Sequence, residues 1–223
     1  PPNPSGLLIA TDVSAGYRDN LIVRGISLEV PKAGIVAIVG PNGSGKSTLI
    51  KALFGLVRLQ GGTVVFDGRN ITRRTPADLL SDGVGYVPQL PSIFPSMSVW
   101  ENLEMGLTSA HHTGRSVWPA QHALDLFPAL ADRRHALAGT LSGGERRMLE
   151  IGRTMLLQPS LILLDEPSVG LSPSLTKRLF AILLELREAT GVAMLVVEQN
   201  VRTAQDVCDE ALVIVSGQVA HRG

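Results

Sequence analysis

Gly40-Pro41-Asn42-Gly43-Ser44-Gly45-Lys46-Ser47 fits the spacing Gly-x-x-x-x-Gly-Lys-Ser/Thr. The run before it, Ile35-Val36-Ala37-Ile38-Val39, is short, apolar and β-branched, as a buried parallel strand is. After it, Leu49, Ala52, Leu53 and Leu56 fall on one face of a predicted helix. Strand, glycine-rich loop and helix in this order make a phosphate cradle. The glycines let successive N–H groups curl round an anion, and the helix N-terminus adds the positive end of its dipole. Lys46 is the residue expected to reach the β- and γ-phosphates of a nucleotide, and the Ser47 hydroxyl to ligate Mg2+. The loop alone leaves kinase, GTPase, helicase and transporter ATPase open.

Working outward, Leu161-Ile162-Leu163-Leu164-Asp165-Glu166 sets two adjacent carboxylates at the end of an apolar run. A buried parallel strand would deliver them to the carboxyl edge of its sheet, where ligands bind. Asp165 is then a candidate Mg2+ ligand, and Glu166 a candidate general base that polarises attacking water. Hydrolysis needs both tasks, whereas a kinase does not need the second. Leu141-Ser142-Gly143-Gly144-Glu145, a serine and two glycines at a helix start, reads by itself as an ordinary helix cap and offers a second anion site as the alternative. One triphosphate rarely needs two such loops in one chain. Two chains arranged head to tail would use both, each lending one loop to the same ATP.

The remaining elements frame an α/β fold. Strands are predicted over 7–13, 26–30, 63–66, 192–197 and 211–215. Thr75-Pro76-Ala77-Asp78 and Ser98-Val99-Trp100-Glu101 read as helix caps, and Ser172-Pro173 opens a long amphipathic helix ending near Gly191. The stretch from 90 to 156 has almost no strand signal and reads as a helical lobe inserted into a core of about residues 1–89 and 157–223. With 223 residues, 44% hydrophobic and 18% charged, the chain can bury a sizeable core. Twenty basic and twenty acidic residues give a formal net charge of zero, so no global basic field points to nucleic acid. A single cysteine, Cys208, excludes an intrachain disulfide and suits a reducing compartment. Residues 1–6 lack the basic and apolar regions of a signal peptide, and the absence of an initial Met suggests a trimmed end. No run is long and apolar enough to span a membrane.

Taken together, these segments resemble the ATP-binding subunit of ABC transporters over nearly the whole chain and in the expected order. The fold implied is a P-loop NTPase core with a mostly parallel sheet, an N-terminal antiparallel β part and an inserted helical lobe. By this resemblance, Tyr17 matches the aromatic that stacks on adenine, although alone it reads as a turn residue. Gly40, Pro41, Asn42, Gly43, Ser44, Gly45, Lys46, Ser47 and Thr48 match the Walker A loop. Gln89 matches the glutamine that links the Mg2+ site to the helical lobe. Ser142, Gly143 and Gly144 match the signature that contacts the partner's ATP. Asp165 and Glu166 match Walker B and the catalytic base, and 168–172 the D-loop. Two positions depart from the common pattern: Gln199 stands where a switch His is usual, and Ser172 where an Asp is usual. Both are similar to the subfamily serving branched-chain amino acid importers. A neutral Gln can donate a hydrogen bond but cannot take a proton as His does.

The resemblance implies an ATP-hydrolysing motor using ATP and Mg2+, with transmembrane permease subunits and a second ATP-binding subunit, same or related, as partners. It implies a peripheral position on the cytoplasmic face of the inner or plasma membrane. The alternative is a soluble ABC ATPase acting on a non-transport macromolecular partner. Several residues are expected to be structural: Trp100 and Trp118 as lobe packing, Met148, Leu149 and Ile151 as the packed face of the signature helix, and Arg146 and Arg147 as solvated or paired with acids. His111 and His112 lack acid or cysteine neighbours at ligand spacing and are not expected to bind metal.

Overall fold

A computed structural model describes residues 6–18, 20–110, 116–200, 202, 204 and 207–223; His111 and His112 lie outside them. The chain begins with two long strands, β1 (Gly6–Tyr17) and β2 (Asn20–Pro31), followed by β3 (Ile35–Val39) and α1 (Lys46–Leu53). Next come β4 (Leu59–Phe66), β5 (Arg69–Asn70), α2 (Pro76–Asp82) and β6 (Val84–Val87). A helical stretch follows: α3 (Val99–Ala110), α4 (Ala120–Leu126), α5 (Pro128–Ala131), a 3-10 turn (Ala138–Thr140) and α6 (Gly143–Met155). The chain then alternates through β7 (Leu161–Asp165), α7 (Pro173–Thr190), β8 (Ala193–Glu198), β9 (Glu210–Val215) and β10 (Gln218–Arg222).

Two sheets result. One is antiparallel, in the order β2-β1-β4-β5; the other has six strands in the order β10-β9-β3-β8-β7-β6. In the second, β9, β3, β8, β7 and β6 pair in parallel and only β10 runs antiparallel at the edge. This is the mostly parallel core with an antiparallel N-terminal part that the resemblance implied.

The period of two in a strand explains how this sheet is covered. In β7, Leu161 and Leu163 join the hydrophobic cluster shared with α1 and the antiparallel sheet, while Ile162 and Leu164 join the cluster shared with α3, α4, α6 and α7. In β8, Leu195 and Val197 face the first cluster, Met194 and Val196 the second. Burial on both faces is why these strands read as unbroken apolar runs. Helix boundaries follow their caps. Thr75 and Asp78 form a capping box for α2, as do Ser142 and Glu145 for α6. Ser172 caps α7, which stops at Gly191 in the left-handed region (φ 69°).

Several expectations are corrected. Leu56 is not on the face of α1: that helix ends at Leu53, and Leu56 is 52% exposed beyond the turn at Gly55. The strand expected over 63–66 starts at Leu59, because Gly61 and Gly62 carry no side chain to mark alternation. Gly62 sits at φ 81° where the β1–β4 register shifts. β6 and β10 carried too little pattern to be anticipated: β6 is four residues, and β10 is an exposed edge strand.

Leu195→Ala should lower stability by about 2–5 kcal/mol, since a fully buried side chain is lost between two packed layers. Leu56→Ala should change it by less than about 0.5 kcal/mol. Urea midpoints for the two variants check this; equal shifts would contradict the core assignment.

Candidate functional site

Parallel pairing puts the carboxyl ends of β3, β8, β7 and β6 side by side along one sheet edge. In register, Val39 pairs Glu198, Val197 pairs Asp165, and Leu164 pairs Val87. Each strand therefore releases its next residues at the same level: the 40–47 loop from β3, Gln199 from β8, Glu166 from β7, Pro88 and Gln89 from β6. Four separated sequence segments meet there because the strands are parallel and adjacent.

The loop is shaped by close approach. A Cβ on Gly40 would collide with the Ile214 carbonyl oxygen of β9, so only glycine fits. The β9–β10 turn locks the loop further: Gly217 N donates to Ser44 O at 2.9 Å, and Gly217 O accepts from Arg24 N at 2.9 Å. Gly45 precedes α1 at φ 102° and supplies no side-chain cap, so the first-turn N–H groups have no side-chain acceptor. Ser44 Oγ is buried without a hydrogen-bond partner. An open helix N-terminus beside an orphaned buried hydroxyl fits an anionic group. Pro41, Asn42 and Gly43 are exposed on the loop's outer side, and Thr48 is buried in α1.

Lys46 is 3% exposed and folds back on its own loop. Its Nζ donates to Gly40 O at 2.8 Å and Pro41 O at 3.0 Å, and lies 3.8 Å from Glu166 Oε1. Ser47 Oγ donates to Asp165 Oδ1 at 2.9 Å, and Tyr86 OH to Asp165 Oδ2 at 3.3 Å. Burial pushes the Asp165 carboxyl above its ordinary value, and the Ser47 hydrogen bond pulls it back. Burial, with Asp165 beside it, pushes the Tyr86 phenol well up, so it stays a donor. A hydroxyl and a buried carboxylate in contact are hard oxygen donors of the kind Mg2+ takes.

Successive side chains of a strand point to opposite faces, yet Asp165 meets Ser47 while Glu166 meets Lys46. The reason is Glu166 itself, which leaves the strand at φ 47°, with its N–H donating to Val197 O at 3.0 Å. The left-handed step costs about 1–2 kcal/mol for a non-glycine residue and turns both carboxylates toward one loop. Glu166 is 4% exposed. Its Oε2 accepts from Gln89 Nε2 and from Gln199 Nε2, both at 2.8 Å. Gln199 therefore donates to the carboxylate here, a partner the sequence did not suggest. Glu198 beside it is buried and accepts from Ser168 N at 3.1 Å and Ser168 Oγ at 2.8 Å, fixing the segment after Glu166; burial pushes its carboxyl up.

The other expected residues lie apart. Tyr17 is 53% exposed at the free end of the β1–β2 hairpin, paired with Asn20. Ser142 and Gly143 are exposed at the start of α6 and Gly144 is buried. Ser142 Oγ accepts from Glu145 N, and Ser142 N donates to Glu145 Oε2 at 2.8 Å; hydrogen bonding from the Ser142 side chain first, and from its N–H, holds the Glu145 carboxyl below its ordinary value. Among the described residues no hydrogen bond or ion pair joins 142–144 to the 40–48 loop.

Arg147 takes the acid-paired alternative of the two expected for it, and more. It is 6% exposed, pairs with buried Glu150 at 2.8 Å, and also donates to three main-chain carbonyls. A charged pair at i, i+3 among the apolar positions of α6 was its signal in the sequence. Tyr86 had a weaker one, an aromatic inside the short run 84–87 before Pro88. Met148, Leu149 and Ile151 are buried on α6 as expected. Trp100 and Trp118 pack against the second cluster, with the Arg134 guanidinium 3.7 Å over the Trp100 ring.

Comparison with known proteins agrees with this geometry. The family profile described as ABC transporter matches residues 23–169. The probable branched-chain amino acid transport ATP-binding protein LivF of Archaeoglobus fulgidus is 37% identical over 219 residues, covering 97% of this chain and 92% of that protein. The lipopolysaccharide export system ATP-binding protein LptB of Haemophilus influenzae is 35% identical over 222 residues, covering 97% and 90%. The crystal structure of the ADP conformation of an ATP-binding cassette of an ABC transporter superposes with a TM-score of 0.85 at 30% identity, covering 97% of this chain and 90% of that one. A phosphate loop, paired carboxylates and a second helix-start motif on one α/β frame thus have relatives along their full length, and the chain belongs to the ABC transporter family as an ATP-hydrolysing subunit.

Proposed function

We propose that the chain powers an importer of branched-chain or related amino acids, docked on transmembrane permease subunits at the cytoplasmic face of the membrane. Support for the solute class comes from LivF of Archaeoglobus fulgidus and from the high-affinity branched-chain amino acid transport ATP-binding protein BraG of Pseudomonas aeruginosa, the latter 36% identical over 209 residues. Export is the second reading, favoured by the similarity to LptB. No helix among the described residues is long and apolar enough to cross a membrane. Deletion of the gene should abolish uptake of labelled leucine, and the protein should co-purify with a polytopic membrane protein. Unchanged amino acid uptake with a defect in lipid export would select the second reading.

The observation carrying the catalytic reading is the Glu166 carboxylate, held at Oε2 by two amides while Oε1 faces Lys46. Lys46 would exchange the carbonyls of Gly40 and Pro41 for the β- and γ-phosphates of ATP. The N–H groups of 43–48 and Ser44 Oγ would hold the same phosphates, and Tyr17 the adenine. Ser47 and Asp165, with Gln89 through its Oε1, would hold Mg2+, which supplies neutralising charge at the phosphates when bound. Glu166 Oε1 would then accept a proton from attacking water, its position set by Gln89 and Gln199. The exposed Ser142–Gly143 start of α6 would close on the ATP of a second chain, same or related, arranged head to tail.

Two outcomes check these roles. Lys46→Ala should weaken ATP binding at least about tenfold and abolish turnover, because a charge-assisted contact is lost. Glu166→Gln should bind ATP, hydrolyse it far more slowly and give an ATP-stabilised dimer on size exclusion. Wild-type affinity and turnover in the first, or full turnover in the second, would remove the assignment concerned.

Gln199 gives a third. Gln199→Ala should lower kcat more than ATP affinity, since positioning of the base matters most in the transition state. Gln199→His should keep activity and add a pH dependence near the imidazole pKa of about 6.5. Hydrolysis against pH for both variants reads this out; wild-type turnover in Gln199→Ala at saturating ATP would leave Gln199 without a catalytic role.

A further inference from the structure

The loop that carries Gln89 has little backbone support. Outside the strand ladders, no backbone–backbone hydrogen bond among the described residues involves 88–93. Side chains of α6 hold it instead. Arg147 Nη1 donates to Pro88 O at 2.8 Å, and Nη2 to Gln89 O at 3.1 Å. Glu150 Oε1 accepts from Ser92 N at 2.5 Å and from Ser92 Oγ at 3.3 Å, and Arg153 Nη2 donates to Ser92 Oγ at 2.7 Å. Arg147 and Glu150 hold each other at 2.8 Å. The same guanidinium reaches the far side of the site, with Nε donating to Pro167 O, next to Glu166, at 3.2 Å.

A buried charge is retained only where it is paired and hydrogen-bonded. Here the acceptors, apart from Glu150, are main-chain carbonyls of the two segments whose side chains, Gln89 and Glu166, hydrogen-bond to each other. Arginine suits this because its planar fork donates in several fixed directions, whereas lysine presents a single ammonium centre. Arg147 also lies one helical turn from Gly143 and Gly144 on the same helix. Displacement of the start of α6 therefore moves the guanidinium, and with it the backbone on which Gln89 sits.

We infer that Arg147 is a positioning residue for ATP hydrolysis, carrying the position of the signature helix to Gln89 and so to the Glu166 carboxylate. This rests on the proposed roles of Gln89 and Glu166. Its effect falls on kcat, since neither segment it holds belongs to the phosphate loop. It is also exerted through Gln89, so the two residues act as one unit.

The test is a double-mutant cycle on the full chain with Arg147→Lys and Gln89→Ala, reading kcat, KM and ATP affinity. Lysine keeps the charge opposite Glu150 but cannot span the three carbonyls. Arg147→Lys should lower kcat on the order of tenfold with ATP affinity within about twofold, and cost less than about twofold more in the Gln89→Ala background. Wild-type kcat, additive losses, or a matching fall in ATP affinity would overturn the inference. Should Arg147→Lys fail to fold, Ser92→Ala decides: it should lower kcat about threefold, non-additively with Gln89→Ala, and no loss or an additive one would overturn the inference. If Gln89→Ala alone turns over like wild type, the proposed role of Gln89 falls and takes the inference with it. A slow Gln89→Ala with an additive Arg147→Lys overturns the inference alone.

Discussion

The Glu166 carboxylate is the point on which the site depends, because three of the four loops at the sheet edge meet there. Gln89 arrives from β6, Gln199 from β8 and Lys46 from the loop after β3. A buried carboxylate without donors would be costly, on the order of several kcal/mol. Two amides and a lysine offset that cost, and in doing so they fix where each loop ends. The left-handed step at Glu166 is kept because Val197 O, the Gln89 and Gln199 amides and the Pro167–Ser168 segment over-determine it. Lys46 donates to the carbonyls of its own loop and Ser47 to Asp165, while Ser44 Oγ in the same loop has no partner. Under the proposed roles, a bound triphosphate would take these contacts of Lys46 and Ser47 in place of the loop carbonyls and Asp165.

The fold around this point was legible where one principle acted alone. Buried strands declared themselves as apolar runs, and the caps at Thr75, Ser98, Ser142 and Ser172 declared helix starts, because local chemistry sets both. Legibility failed where pairing supplied what the side chains did not. β4 passes through Gly61 and Gly62 because β1 pairs with it, and β10 forms because β9 offers it an edge. Leu56 fell on the right helical face but beyond the end of the helix.

At the site, the residues expected at a phosphate or a cation came from spacing and from the resemblance, and Lys46, Ser47, Gln89, Asp165, Glu166 and Gln199 do lie together at the sheet edge. The residues holding those residues could not be read that way. Tyr86 reaches Asp165 only because β6 lies beside β7, and Arg147 reaches Pro88 and Pro167 only because α6 packs across both segments. Gln199 was recognised as a substitution for histidine, but its hydrogen bond to Glu166 depends on the neighbouring positions of β8 and β7. Such partners come from tertiary adjacency, which a single sequence does not print.

The second helix-start motif faces outward at Ser142 and Gly143, with no hydrogen bond or ion pair to the chain's own phosphate loop among the described residues. In the proposed head-to-tail arrangement a second chain would close on the nucleotide with this motif, and Arg147 would let closure be felt at Gln89. The most direct measurement is a crystal structure of Glu166→Gln with Mg-ATP. Expected are two chains related head to tail, with Lys46 Nζ on the phosphates in place of Gly40 O and Pro41 O, and Ser142 within hydrogen-bonding distance of the γ-phosphate bound to the other chain. A nucleotide-loaded chain with Lys46 still on its own carbonyls, or with Ser142 facing solvent in the dimer, would contradict it.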